Sequence, residues 1–234
     1  MLSVRHLYAG YDGRDVVRNV SFDVGAGEVV ALLGRNGCGR STLAKALVGQ
    51  IAARGSVSLN GRPVLGLPAH AVARAGLGYV PESRELFADL SVEQNLVLGL
   101  RPGQRASTSD RLAAVYAAFP VLQRRRHTPA GVLSGGEQQV LALCRTLMSE
   151  PDFLLIDEPA EGLAPAWLSQ VQTLLGERKR RGVGMLLIEQ RLSVGAALAD
   201  RCLVFGRGAL VWQGSVTQLT ADARVQSDWL ALQT

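Results

Sequence analysis

The stretch Val29-Val30-Ala31-Leu32-Leu33-Gly34-Arg35-Asn36-Gly37-Cys38-Gly39-Arg40-Ser41-Thr42-Leu43-Ala44-Lys45-Ala46-Leu47 decides the fold. Its first five residues are a continuous apolar run, the pattern of a strand covered on both faces. Glycines at 34, 37 and 39 allow a tight turn that brings bare N–H groups close to a phosphate. From Ser41 the chain reads as a helix, whose N-terminus adds partial positive charge and free donors. Strand, glycine turn and helix in that order match the phosphate-loop spacing G-x-x-x-x-G-K-[ST] at every position but one. Arg40 stands where lysine is expected. The nucleoside-triphosphate-binding residues expected from this stretch are Gly34, Arg35, Asn36, Gly37, Cys38, Gly39, Arg40, Ser41 and Thr42. The Ser41 hydroxyl falls where such loops bind Mg²⁺.

Two segments downstream add chemistry. Leu133-Ser134-Gly135-Gly136-Glu137-Gln138-Gln139 opens a helix, and Ser134 with Glu137 has capping-box spacing. Glycines directly after the cap leave N–H groups uncovered, which is a second anion site. Phe153-Leu154-Leu155-Ile156-Asp157-Glu158 is an apolar strand ending in two acids. The carboxyl edge of a buried strand is where α/β sheets bind ligands. Asp157 is placed to hold Mg²⁺, and Glu158 to polarise a water for attack on the γ-phosphate.

Composition sets the outer limits. The chain has 234 residues, enough for one α/β core with a small subdomain. No apolar run approaches the ~20 residues of a membrane-spanning helix, and the N-terminus has no signal pattern. A cytosolic or peripheral protein is expected. Three scattered cysteines suggest neither a disulfide framework nor a zinc site. The net charge of +5 is spread over dispersed arginines, so no nucleic-acid partner is expected. The chain has only two lysines, Lys45 and Lys179, which bears on the arginine at 40.

Residues 2–24 alternate apolar and polar, as in antiparallel strands with one exposed face. Short strands are expected around 57–61 and 77–80. Residues 91–148 have helical periodicity with breaks at Pro102 and Pro120. Phe153–Ile156 and Met185–Ile188 are continuous apolar runs, with a helix between them over 164–182. Leu203–Phe205 and Leu210–Trp212 flank a Gly-Arg-Gly turn and read as a hairpin.

A phosphate loop, then Leu-Ser-Gly-Gly-Glu-Gln, then apolar-Asp-Glu-Pro, resembles the ATP-binding cassette (ABC) ATPases over essentially the whole chain. The resemblance implies an α/β fold: a P-loop NTPase core with a mostly parallel sheet, an N-terminal antiparallel β subdomain and an inserted α-helical subdomain. All of 1–234 would be one ABC domain, with a core of about 1–84 and 149–234 and a helical subdomain of about 85–148. ATP and Mg²⁺ are the implied cofactors. Two such cassettes pack head to tail in that family. Ser134, Gly135, Gly136 and Glu137 would then act in trans on the partner's ATP. Tyr11 would stack on adenine, and the segment 160–165 would contact the partner. Two positions depart from the general pattern. Glu82, in Val80-Pro81-Glu82, replaces a glutamine that senses Mg²⁺, and remains an oxygen ligand. Gln190, in Ile188-Glu189-Gln190, replaces a histidine near the γ-phosphate, and can donate a hydrogen bond but carry no proton charge. Expected catalytic residues are Glu158 and Gln190; expected metal ligands are Ser41, Glu82 and Asp157.

Val-Pro-Glu, Glu-Gln, Glu161-Gly162-Leu163-Ala164-Pro165 and the stretch from Phe119 to Gln139 resemble one ATP-binding subunit of branched-chain amino-acid importers. That resemblance implies a peripheral subunit on the cytoplasmic face of the inner membrane. Its partners would be a second ATP-binding subunit (a heterodimer, or alternatively a homodimer), two membrane permeases and, indirectly, a periplasmic binding protein. Relatives with these motifs also serve urea, short amides and aromatic acids. A DNA- or ribosome-directed ABC ATPase is disfavoured, because the chain has no coiled-coil insertion and no second cassette. A nucleotide-binding subunit with impaired hydrolysis rests on Arg40 alone.

Overall fold

The computed structural model describes residues 1–103, 108–190, 192 and 194–230. Strands β1 (Leu2–Tyr11) and β2 (Arg14–Val24) form an antiparallel hairpin. β3 (Val29–Leu33) runs into helix α1 (Arg40–Leu47). The chain then returns through β4 (Ala53–Leu59) and the short β5 (Arg62–Pro63), completing a sheet of order β2-β1-β4-β5. Helix α2 (Ala69–Arg74) leads to β6 (Leu77–Val80). Four helices follow: α3 (Val92–Leu98), α4 (Thr108–Ala118), α5 (Pro120–Arg124) and α6 (Gly135–Leu147). The remainder alternates: β7 (Phe153–Asp157), α7 (Pro165–Arg180), β8 (Gly184–Glu189), α8 (Gly195–Leu198), β9 (Arg201–Gly206), β10 (Ala209–Gly214) and α9 (Val216–Ala221).

The second sheet has the order β10-β9-β3-β8-β7-β6, parallel throughout except for β10 at its edge. Its central strands β3, β7 and β8 are buried along their whole length, as their unbroken apolar sequences require. Alternate residues serve two cores. Val30, Leu32, Leu155 and Leu186 pack with Leu43 and Leu47 of α1 and with Val4 and Leu7 of the antiparallel sheet. Val29, Leu154, Ile156 and Leu187 face the other way, onto Val140, Leu141, Cys144 and Leu147 of α6 and Leu96 of α3. Helix α1 is thus clamped between the two sheets, which fixes the loop at its N-terminus.

One sequence expectation changes in detail. Pro120 does not merely interrupt a helix; it occupies the first turn of α5, where its fixed φ and missing N–H suit a helix start. The expected break at Pro102 falls in a turn after α3, beside residues 104–107, which lie outside the described residues. A polar residue that the sequence did not single out organises the segment before α3. Asn95 is fully buried, and its Nδ2 lies 3.0–3.1 Å from the carbonyl oxygens of Phe87, Leu90 and Ser91. Its Oδ1 accepts from the Phe87 N–H at 3.1 Å. Asn95→Ala leaves the Phe87 N–H without its acceptor and takes a second donor from carbonyls that keep their backbone partners, and each lost bond costs about 1 kcal/mol. A total loss of about 2–4 kcal/mol in chemical denaturation is expected.

Candidate functional site

The parallel sheet brings the sequence-distant segments together at one edge. In register, Leu33 of β3 pairs with Glu189 of β8, Ile188 with Asp157 of β7, and Ile156 with Val80 of β6. The phosphate loop, Gln190, Glu158 and Glu82 all follow these carboxyl ends. They border one cavity of about 740 Å³, lined by Asn36, Gly37, Gly39, Arg40, Ser41, Thr42, Glu82, Glu158 and Gln190. An adjoining cavity of about 520 Å³ includes Ser41, Glu82 and Asp157. Gly39 is the residue before α1, with φ 110, a left-handed conformation that favours glycine. A methyl there would meet Val16 and Phe205 at 3.2 Å.

Not every expected residue borders that cavity. Cys38 is half-buried and, with Arg35, faces a second hollow on the far side of the loop, shared with Arg207 and Trp229. Burial pushes the Cys38 thiol up. Tyr11, 45% exposed, ends β1 and is available for stacking, but it does not line the phosphate cavity. Val16, Ala160 and Glu161 do line it. Glu161 had a readable signal, an acid three residues beyond Glu158 in the same loop; Val16 had none.

Arg40 is the central finding. Its Nη1 lies 3.0 Å from Glu158 Oε1, an ion pair whose side chains are 9% and 21% exposed, although Nη1 lacks hydrogen-bond alignment. Its Nη2 donates to Asn36 Oδ1 at 3.1 Å. The forked guanidinium therefore spans the phosphate loop and the carboxylate at the end of β7. Glu158 has φ 49, a left-handed conformation that costs a non-glycine residue roughly 1–3 kcal/mol. Its N–H is anchored on the Ile188 carbonyl at 2.8 Å, and its own carbonyl accepts from Gln139 Nε2 of α6 at 3.4 Å.

The acidic side of the site gathers Glu82, Asp157 and Glu161 in one cavity with Lys45 and Arg84. Burial, then the nearby Glu82, pushes Asp157 up to about 7; Glu158 and Glu161 add to this, and Arg40 opposes it. Among the described residues no cluster of three or more His, Cys, Asp and Glu is preformed to hold a metal. Mg²⁺ in nucleotide sites takes one or two carboxylates and completes its octahedron with phosphate, hydroxyl and water oxygens. Ser41, Asp157 and Glu82 fit that donor set.

The capping box expected at Ser134 and Glu137 is built as its spacing requires. Ser134 caps α6: its N–H donates to Glu137 Oε2 at 2.9 Å, and the Glu137 N–H reaches Ser134 Oγ at 3.4 Å. Glu137 is buried, and its other oxygen pairs with Arg125 at 3.1 Å. The expectation of two uncovered glycines needs correction. Gly135 is exposed, but Gly136 is buried, because a methyl there would lie 2.8 Å from Trp167 and 2.9 Å from the Gly162 carbonyl oxygen. Gly136 makes room for packing; Ser134 and Gly135 remain open.

A family model described as ABC transporter matches residues 17–161. The chain belongs to the ABC transporter ATP-binding family. It is an ABC-type ATPase that binds ATP, and subunits of this kind dimerise and work with membrane permease components. It is 37% identical over 231 residues to the high-affinity branched-chain amino acid transport ATP-binding protein BraG of Pseudomonas aeruginosa, covering 98% of this chain and 99% of BraG. The lipopolysaccharide export system ATP-binding protein LptB of Escherichia coli K12 is 32% identical over 233 residues, covering 98% and 96%. A solved structure described as the ATP binding subunit of an ABC transporter superposes with a TM-score of 0.85 at 29% identity, covering 94% of this chain and 92% of that one. Among the described residues no helix is long and apolar enough to cross a membrane.

Proposed function

We propose that this chain is one of two ATP-binding subunits that energise import of branched-chain amino acids, bound peripherally at the cytoplasmic face of the inner membrane. The observation that carries this reading is the end-to-end likeness to BraG. A relative from Archaeoglobus fulgidus named as a probable branched-chain amino acid transport ATP-binding protein, LivF, supports it at 32% identity over 94% of each chain. The second cassette, two permeases and a periplasmic binding protein complete the assembly. The helical subdomain of about 85–148 meets the permeases. Exposed Phe87 and Leu98 border a groove that offers an apolar seat for a permease loop.

ATP lies along the phosphate loop, with its adenine toward Tyr11. Ser41, Asp157 and Glu82 would hold Mg²⁺, which would supply charge neutralisation of the phosphates. The loop N–H groups and α1 hold the phosphates, and Arg40 adds a fixed cation. Glu158 accepts a proton from the attacking water, which Gln190 orients by hydrogen bonding. Ser134 and Gly135 close on the partner's nucleotide. ATP favours the closed pair, and hydrolysis releases it.

Reconstitution with a second cassette, a permease pair and a binding protein from the same organism tests the reading. ATP turnover in proteoliposomes should rise when the binding protein carries leucine, isoleucine or valine. A rise with urea, a short amide or an aromatic acid instead would reassign the solute within the same importer class. No response to any loaded binding protein would remove the importer reading.

A further inference from the structure

We infer that Arg84 is a catalytic residue supplied in trans: its guanidinium stands at the anion-binding end of α6 and reaches the phosphates bound by the partner cassette. Arg84 has this role only if Ser134 and Gly135 face a partner's nucleotide, as proposed above.

The loop after β6 places Glu82 and Arg84 together on the cavity that also holds Ser41 and Asp157, and only Arg84 extends from there to the start of α6. Glu82 lines the chain's own phosphate cavity. Two residues later, the Arg84 guanidinium lies over Gly135, where a methyl would be 3.3 Å from Nη1 and 3.5 Å from Nη2. A methyl on Gly162 would also be 3.5 Å from Nη2. The two glycines leave the space that the guanidinium occupies, beside the exposed start of a 13-residue helix.

Among the described residues Arg84 makes no ion pair; its one side-chain hydrogen bond runs from Nη1 to Gln138 Oε1 at 3.4 Å. Its Nε is buried without a hydrogen-bond partner. A partly buried cation beside a helix N-terminus adds positive charge to positive charge. An arriving phosphoryl group satisfies both, and the low dielectric of a closed interface strengthens that contact.

The backbone holds this placement at a cost. Arg84 has φ 65 and Glu85 φ 46, two consecutive non-glycine residues in the left-handed region. Such residues persist where the surroundings over-determine them, and they cluster at functional sites. Here Arg84 N–H bonds the Pro81 carbonyl at 3.0 Å and Glu85 N–H the Ser83 carbonyl at 2.7 Å. Arg145, from α6, donates to the Glu85 carbonyl at 2.9 Å and stacks over Phe87 at 5.6 Å. The loop is thereby tied to the helix whose N-terminus Arg84 overlooks. One rigid loop then serves both nucleotides, its own through Glu82 and the partner's through Arg84.

The test uses the assembled complex with one ATP site silenced at a time. Glu158→Gln silences this chain's site, so remaining turnover belongs to the partner's. In that background Arg84→Gln should lower turnover by about 10²-fold, as removal of one transition-state donor does, and Arg84→Lys should restore part of it. With the partner's equivalent glutamate changed instead, Arg84→Gln should cost this chain's own site at least about tenfold less than it costs the partner's. Equal losses at both sites, or a larger loss at the own site, overturn the inference. Gly135→Glu, which places a carboxylate at the α6 terminus, separates the two readings. If it abolishes partner-site turnover while Arg84→Gln does not, only Arg84's role fails. If it leaves partner-site turnover intact, the trans placement of Ser134 and Gly135 fails as well.

Discussion

Glu158→Gln is expected to lower turnover at this chain's own site by about 10²–10⁴-fold, the usual contribution of a positioned general base, while tightening its grip on ATP. The two effects have one structural origin. Glutamine keeps the shape of the side chain and cannot accept a proton from water. It is also neutral, so it no longer holds Arg40, whose Nη1 lies 3.0 Å from the Glu158 carboxylate. The freed guanidinium then turns its whole charge to the phosphates. A charge-assisted contact contributes about 1.5–3 kcal/mol, so removing this competitor should tighten ATP binding by about tenfold or more. Single-turnover hydrolysis with the partner's site silenced reads the first effect. Equilibrium binding of a fluorescent ATP analogue to the isolated subunit reads the second. Full turnover in the variant would mean that another group takes the proton.

Why Glu158 was legible and its ion pair was not follows from the physics of each. The apolar run Phe153–Ile156 ending in two acids places Asp157 and Glu158 at a sheet edge, because a short run of that kind suits a strand covered on both faces. The same logic located the phosphate loop after β3 and the cap at Ser134. These are local patterns, in which each residue's role depends on neighbours within a few positions. The Arg40–Glu158 contact depends on sheet order instead: β8 lies between β3 and β7, and no spacing in the chain encodes that. Gly136 was misjudged for a related reason. Its cover, Trp167, comes from α7, so a glycine that looked like an open donor proves to be a packing contact. Asn95 and Arg84 are the same kind of case, since a buried amide and a guanidinium seated over a helix start are recognisable only once their surroundings are known.

Arg40→Lys is expected to raise turnover at the own site by about tenfold. Arginine and lysine carry the same charge but distribute it differently: the guanidinium is a planar fork, and the ammonium is a compact point on a flexible stem. The fork lets Arg40 bond Asn36 through one nitrogen and approach Glu158 through the other. Held at both ends, it ties the general base to the phosphate loop before nucleotide arrives. ATP must then exchange one partner of that pair for its own phosphate. Lysine keeps the charge without the bridging geometry, so it leaves Glu158 free for water. A tenfold rise corresponds to relief of about 1.4 kcal/mol. Arg40→Ala removes the cation itself and should weaken triphosphate binding instead, by about tenfold or more. A double-variant cycle decides whether the effect runs through the ion pair. If it does, Arg40→Lys tightens ATP binding in the wild-type chain and has little further effect in Glu158→Gln, where the pair is already broken. Additive effects would show that Arg40 acts on the phosphates alone. A fall in turnover for Arg40→Lys would show that this loop is shaped around a guanidinium, as the Asn36 bond on its other arm would then require.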